Sequence, residues 1–234
     1  MQRNRKRDRL STAVAAVLFF SLALSVVYAL VRFLNAPAQA PPDMPHAKVQ
    51  SDYLLILTQC ALGLIVMLLP SIVNRKWSVP LPRAIYILYY VFLYCAIFLG
   101  EVFEFYYVIP HWDVILHVFS GAMLSALGFI LVDLLNRSAR RVSLSPDLES
   151  LFAFCFALAL GAIWEIYEFA GDAILGLNMQ KALTAEGQAL VGKAALADTM
   201  EDLIVDAAAA LVIAIIGYRS NKRQLASARQ GGNR

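Results

Sequence analysis

Cysteine is scarce in this chain and poorly placed for covalent or metal scaffolding. Cys60, Cys95 and Cys155 are three in number, scattered, and each lies inside an apolar run. That pattern excludes a disulfide framework and a C-x-x-C knuckle, and reads as packing residues. Charge is also short. Asp, Glu, Lys and Arg make up 16% of 234 residues, against 60% hydrophobic, with a mean hydropathy of +0.63. A soluble domain of useful size is thereby excluded, and a polytopic membrane protein is indicated. The net charge of +3 is uninformative as a sum; its distribution matters. The lipid bilayer is the expected partner, and no nucleic acid is. No internal repeat stands out.

What is present is a series of apolar runs of about 20 residues, the length that crosses a bilayer as a helix. Six can be counted. Residues 1–9 (MQRNRKRDR) form a basic N-terminus, and residues 10–34 a first span. Ala36-Pro-Ala38 and Ala38-Gln-Ala40 resemble signal cleavage sites, but the apolar run exceeds a signal h-region of about 7–15 residues. Residues 35–51 are Pro- and Ala-rich, an outside linker that carries His46, read as a solvated loop histidine. Residues 52–218 are expected to form a five-helix core. Its spans run from Tyr53 to Val73, Ala84 to Tyr107, Trp112 to Asn136, Leu151 to Ala173 and Asp198 to Tyr218. Residues 219–234 are a basic tail. Sixteen of the twenty Lys and Arg residues fall on one side of this arrangement, leaving Arg32, Lys48, Lys181 and Lys193 on the other. The positive-inside rule then predicts an all-α bundle of six transmembrane helices with both termini cytoplasmic.

With that topology the acidic and imidazole side chains sort into the outer leaflet. Span three carries Glu101 and Glu104; span four carries His111, Asp113 and His117; span five carries Glu165, Glu168 and Asp172; span six carries Asp198, Glu201, Asp202 and Asp206. The inner leaflet holds only Asp133. At 1.5 Å per residue, Asp206 lies about 12 Å below Asp198, and Glu165 about 10 Å below Asp172. A carboxylate at the bilayer centre costs roughly 2.5–3.5 kcal/mol on insertion scales, so each needs a partner or a proton. No Lys or Arg lies in the outer halves of spans three to six.

A divalent cation would answer that deficit, because Asp, Glu and His are the ligands such ions take. Asp113 and His117, at i and i+4, share a helix face, as do Asp198 and Asp202. The Glu-x-x-His element of di-iron bundles is missing. The expected ligands are Asp113, His117, Glu165 and Asp202, with Glu168 as general base through a bound water. Glu101, Glu104, His111, Asp172, Asp198, Glu201 and Asp206 are further candidates; Asp172 and Asp198 serve equally as helix-end residues, Asp198 as a cap. Ser120 has no His–acid arrangement of the hydrolase kind. In the outside loop, Asn178 and Gln180 are expected to fold back over the site, and Lys181–Ala197 to form a short interfacial helix.

The ordered combination of His111-Trp-Asp113, Leu116-His117, Ser120-Gly121, Trp164-Glu-Ile-Tyr-Glu168, Leu177-Asn-Met-Gln180 and Asp198-Thr-Met-Glu-Asp-Leu-Ile-Val-Asp206 resembles the YjdF-type bacterial inner-membrane proteins. The resemblance covers roughly residues 85–218. It implies a multi-pass plasma-membrane protein with shared polar positions Asp113, His117, Glu165, Glu168, Asp198, Asp202 and Asp206. It implies no established activity. The stretch between Gln180 and Asp198 is longer here than in that pattern. A fainter likeness to VanZ-type membrane proteins rests on a D-x-x-x-H element followed by acidic helices.

Three functions are therefore expected to compete. The first is a divalent-cation enzyme acting on a lipid-linked or envelope substrate. The second is a transporter that uses the same acids as a proton or cation relay. The third is a structural or assembly partner whose polar core fixes helix register. Transport is weakened by the lack of an acidic path through the inner leaflet and of matched broken helices.

Overall fold

The computed structural model describes residues 2–41, 43–44, 47–77, 81–138, 144–184 and 188–231, so His46 lies outside the described residues. The described chain is helical, with one isolated bridge between Leu183 and Ala189. The helices are α1 (Gln2–Asn35), α2 (Gln50–Val66), α3 (Leu69–Trp77), α4 (Arg83–Leu93), α5 (Phe105–Val108), α6 (Trp112–Ser138), α7 (Pro146–Leu175) and α8 (Lys193–Gly231). A π-helical segment, Tyr94–Val102, continues α4. Among the described residues, five stretches are long and apolar enough to cross a membrane: Arg9–Asn35, Gln50–Lys76, Arg83–Val102, Trp112–Asn136 and Pro146–Leu175. The sixth expected span, Asp198 to Tyr218, falls within the 39 residues of α8, which is not among these five.

The chain divides into two compact units, residues 1–116 with 166–199, and residues 117–165 with 200–234. In the first unit, α1 packs on α2 and α4 through Leu18, Leu22, Ala29, Tyr53, Ile56, Cys60, Leu93 and Ile97. Cys60 is buried there, as a packing cysteine should be, whereas Cys155 in the second unit is exposed. Arg32 donates through Nε and a terminal nitrogen to the Tyr53 hydroxyl (3.0 and 2.8 Å).

Span two is interrupted at Met67–Leu68, and the cause is Pro70. A proline four residues on offers no N–H to the Val66 carbonyl. The Tyr89 hydroxyl supplies the missing donor at 2.7 Å. Such replacement is what allows a break at membrane depth, where an unsatisfied carbonyl is costly. Span three ends earlier than expected. It stops at Val102, Phe103 leaves the helix, and Glu104 adopts φ +60° before the single turn of α5.

The second unit is built from stripes of small residues spaced by four. On α7 these are Ala153, Ala157, Gly161 and then Glu165; on α8, Asp202 and Asp206 and then Ala210 and Ala214. On α6 they are His117, Gly121 and Ser125. Small residues let helix backbones approach closely. A Cβ on Gly128 would stand 2.7 Å from Ala153 Cα, and one on Gly121 would stand 2.8 Å from the Asp206 carbonyl oxygen. Ser125 Oγ donates to the Ala210 carbonyl at 3.1 Å. At the far end Glu149 accepts from Asn136 (2.9 Å) and Asn221 (2.6 Å), tying α6 and α8 to the start of α7. Because the atoms facing Gly121 are backbone, Gly121→Ala forces α6 and α8 apart. The expected loss is about 1–3 kcal/mol of stability, read as an earlier thermal melt of the detergent-solubilised protein.

Candidate functional site

The polar ends of the three stripes meet inside the second unit. His117 comes from the first turns of α6, Glu165 from α7, and Asp202 and Asp206 from α8. All four are buried, with side-chain exposures between 3% and 8%. His117 Nε2 lies 3.9 Å from Glu165 Oε1 and 3.8 Å from Asp202 Oδ2. On the opposite ring edge, His117 Nδ1 lies 3.3 Å from Asp206 Oδ2. Ser120 Oγ is 3.3 Å from Asp206 Oδ1 and 3.1 Å from the His117 carbonyl. Asp206 is itself wedged against two helices where Gly121 and Gly161 leave no side chain; a Cβ at either position would collide with it.

The electrostatics follow from counting. Three buried carboxylates surround one imidazole, which carries at most a single positive charge. Residues 117–136, 149–165 and 200–218 contain no Lys or Arg. Burying unbalanced carboxylates costs several kcal/mol each unless protons or a cation accompany them. His117 and Asp202 offer ligand atoms of the type a metal takes, and Glu165 Oε1 faces the same His117 nitrogen. A bound ion sits about 2.0–2.2 Å from such atoms, which sets ligand separations of roughly 3.0–3.4 Å. The observed 3.8 and 3.9 Å therefore need only a small contraction to suit one.

Several expected candidates lie elsewhere, in the first unit. Glu101 pairs with Lys181 at 2.8 Å, both side chains nearly buried, and Lys181 also lies 4.5 Å from the centre of the Tyr106 ring. Glu104 pairs with Lys48 at 2.8 Å. Cations from the linker and from the loop after α7 thus neutralise Glu104 and Glu101. Asp172 is a structural clasp: its carboxylate accepts from the Met179 and Gln180 N–H groups (2.6 and 3.0 Å). Gly176, at φ +63°, closes α7 in the left-handed conformation that favours glycine. Asn178 Nδ2 donates to the Tyr107 hydroxyl and Gln180 Nε2 to Thr199 Oγ1, both at 3.0 Å.

His111 is exposed at φ +59° in the turn before α6, and Glu201 is exposed. Asp198 does not cap a helix, because α8 begins five residues earlier at Lys193. The expected interfacial helix over Lys181–Ala197 is not formed: the described residues from Lys181 to Gly192 are non-helical, and the rest joins α8. Asp113 stands one turn before His117 on α6, and Glu168 one turn after Glu165 on α7.

Burial works against the charged form of Lys181. Glu101 outweighs it, helped by Tyr107 and Glu168, so the ammonium holds its proton above the ordinary lysine value of 10.5.

The helices that form the cluster lie within a region recognised across other chains. A family model described as "Predicted membrane protein (DUF2238)" matches residues 46–223, from the linker before α2 to beyond Tyr218. The chain belongs to the DUF2238 family. An uncharacterised protein of Thermotoga maritima is 32% identical over 122 residues, 52% of this chain and 55% of that protein. The match therefore spans about half the length of this curated relative. No solved structure matches the chain. DUF2238 membership agrees with the YjdF-type resemblance, while the VanZ-type likeness finds no support among these relatives. The matched region contains His117, Glu165, Asp202 and Asp206 and leaves out α1.

Proposed function

We propose that this DUF2238 protein carries a divalent-cation centre on His117, Glu165 and Asp202, serving an enzyme that acts on a lipid-linked or envelope substrate. The observation that carries the reading is three buried carboxylates around a single imidazole, in helices whose facing stretches contain no Lys or Arg. Asp113 shares its face of α6 with His117 and is the fourth ligand proposed. Glu168, on the next turn of α7 after Glu165, is the proposed general base, taking a proton from water that the cation polarises. Six spans with both termini in the bacterial cytoplasm would put these groups in the outer leaflet of the inner membrane. Reporter fusions after Arg223 and within residues 176–192 test that topology; the first should report cytoplasm and the second the outside.

Asp206 fits the role of orienter. A carboxylate facing Nδ1 favours the tautomer with the proton on that nitrogen, which leaves the Nε2 lone pair for a metal. Asp206→Asn keeps the shape that the two glycines accommodate but can offer an N–H to Nδ1 instead. The expected result is a loss of metal affinity of about 10–100-fold with an unchanged melting temperature in the metal-free protein. Cobalt titration followed by visible absorption, beside a melt, reads both quantities.

Transport on the same acids is the second reading, and the stripes argue against it. Beyond Asp206 and His117 they turn to Ala210, Ala214, Gly121 and Ser125, and on α7 Gly161, Ala157 and Ala153 separate Glu165 from the next acid of that stripe, Glu149, about 24 Å along the helix. Flux measurements in proteoliposomes decide between the two. A pH-driven cation flux abolished by Glu165→Gln, in a protein that binds no metal, would replace the enzyme reading with transport.

A further inference from the structure

A second candidate site lies in the first unit and is independent of the His117 cluster. A cavity of about 600 Å³ opens between linker residues 38–40 and 47–49, the start of α2, the end of the π-helical segment and the loop residues 178, 183 and 184. That volume suits a small organic ligand. Three carboxylates line it, Asp52, Glu101 and Glu104, with one ammonium, Lys48. Aliphatic wall is provided by Leu55 and Val108.

These charges are not equivalent. Glu101 is committed to Lys181 at 2.8 Å, with side-chain exposures of 11% and 13%, and parting a pair that dry is costly. Asp52 spends one oxygen on the Val49 N–H at 2.8 Å, capping α2. Glu104 and Lys48, also 2.8 Å apart, are 46% and 29% exposed. An ion pair in that much water contributes little and exchanges partners readily. Glu104 reaches the cavity from a backbone at φ +60°, a conformation uncommon for a residue with a side chain.

An incoming molecule with both signs of charge could therefore open the exposed pair without leaving either member alone. Its cation would join Glu104 and Asp52, and its anion would take Lys48. A purely anionic ligand would meet three carboxylates, and a purely cationic one would strip Lys48 of its partner. We propose that this cavity binds a zwitterion, an ammonium group joined by a short aliphatic link to a phosphate or carboxylate, by opening the Lys48–Glu104 pair. The same chemistry occurs in an ethanolamine phospholipid headgroup and in a free phosphorylated amine.

The test uses the purified chain and O-phosphoethanolamine, titrated by calorimetry, with Lys48→Gln and Glu104→Gln in parallel. Wild-type binding that weakens about tenfold or more in each variant, the worth of one charge-assisted contact, supports the proposal with a free amine as source. If the soluble compound does not bind, nanodiscs supply the lipid arm. A higher melting temperature in phosphatidylethanolamine than in phosphatidylcholine, lost in both variants, supports the proposal with the headgroup as source. Asp52→Asn, which retains an oxygen to cap α2, replaces either variant that fails to fold. Ethanolamine binding as tightly as its phosphate would overturn the proposal, as would affinity unchanged by the substitutions or the absence of any response in both arms.

Discussion

Replacing His117 by alanine is expected to abolish divalent-cation binding to the purified protein. His117 is the one nitrogen among four buried groups, and its Nε2 faces both Glu165 and Asp202 at 3.8–3.9 Å. Its loss removes a ligand outright, so the effect should exceed the roughly 10–100-fold expected when an orienting partner is changed. The measurement is a thermal melt with and without added Zn²⁺ or Mn²⁺. An ion at a hundred times its dissociation constant stabilises the protein that binds it by about 2.7 kcal/mol. Wild type should show a shift of that order and His117→Ala none. An equal shift in both would place the bound ion elsewhere. The metal-free variant also reports on the cluster: with the imidazole gone, the three carboxylates lose the ring they surround, and a drop in metal-free stability is expected beside the lost response.

The second large effect is expected in the first unit, at Lys181. Removing one partner of a buried ion pair strands the other charge, at a cost of about 3–5 kcal/mol. Lys181→Met should therefore lower the melting temperature of the protein sharply, because Glu101 loses its ammonium. The double variant Lys181→Met with Glu101→Gln should recover most of the loss, since it is the unpaired charge that is expensive. A pair that contributed only at the surface would give under about 1 kcal/mol in the single variant and no recovery in the double. The pH dependence has a definite sign. The folded-state pKa of Lys181 is raised, so the contribution of the pair is complete below pH 10.5 and is lost as the pH climbs through the folded-state value. Between pH 6 and 9 a melt series should show no trend attributable to this lysine.

Hydropathy and positive charge made the helices legible, because a bilayer allows little else from runs of this length. Trp112 to Asn136 is read from sequence with the same bounds as the apolar stretch found in the structure. The failures are local. Tyr94–Val102 and its exit at Glu104 sit in an aromatic and apolar run interrupted by Gly100, Glu101 and Glu104, where no periodicity distinguishes an α-helix from a π-helix. Helix α8 starts at Lys193 rather than Asp198 because Ala194, Ala195, Leu196 and Ala197 are strong helix formers that extend the helix at its N-terminal end.

Among the site residues, the sequence puts forward Asp113, His117, Glu165 and Asp202 as ligands and Asp206 as one of seven further candidates; the structure brings His117, Glu165, Asp202 and Asp206 together. Glu101 and Glu104 were grouped with them on depth alone, and depth says nothing about which neighbour a side chain turns to. Lys181 and Lys48 lie far along the chain from these acids, yet both sit at the same end of the spans. Matching opposite charges across loops at one membrane face would have found both pairs. The four-residue stripe Ala153, Ala157, Gly161, Glu165 was also readable, and it points at the carboxylate it carries.

The most direct test of the metal-centre account is elemental analysis of the purified protein, stripped with chelator and reloaded with Zn²⁺ or Mn²⁺ before removal of excess ion. The account predicts one tightly held ion per chain in the wild type and none in Glu165→Gln. Wild type that retains no more metal than His117→Ala would contradict it.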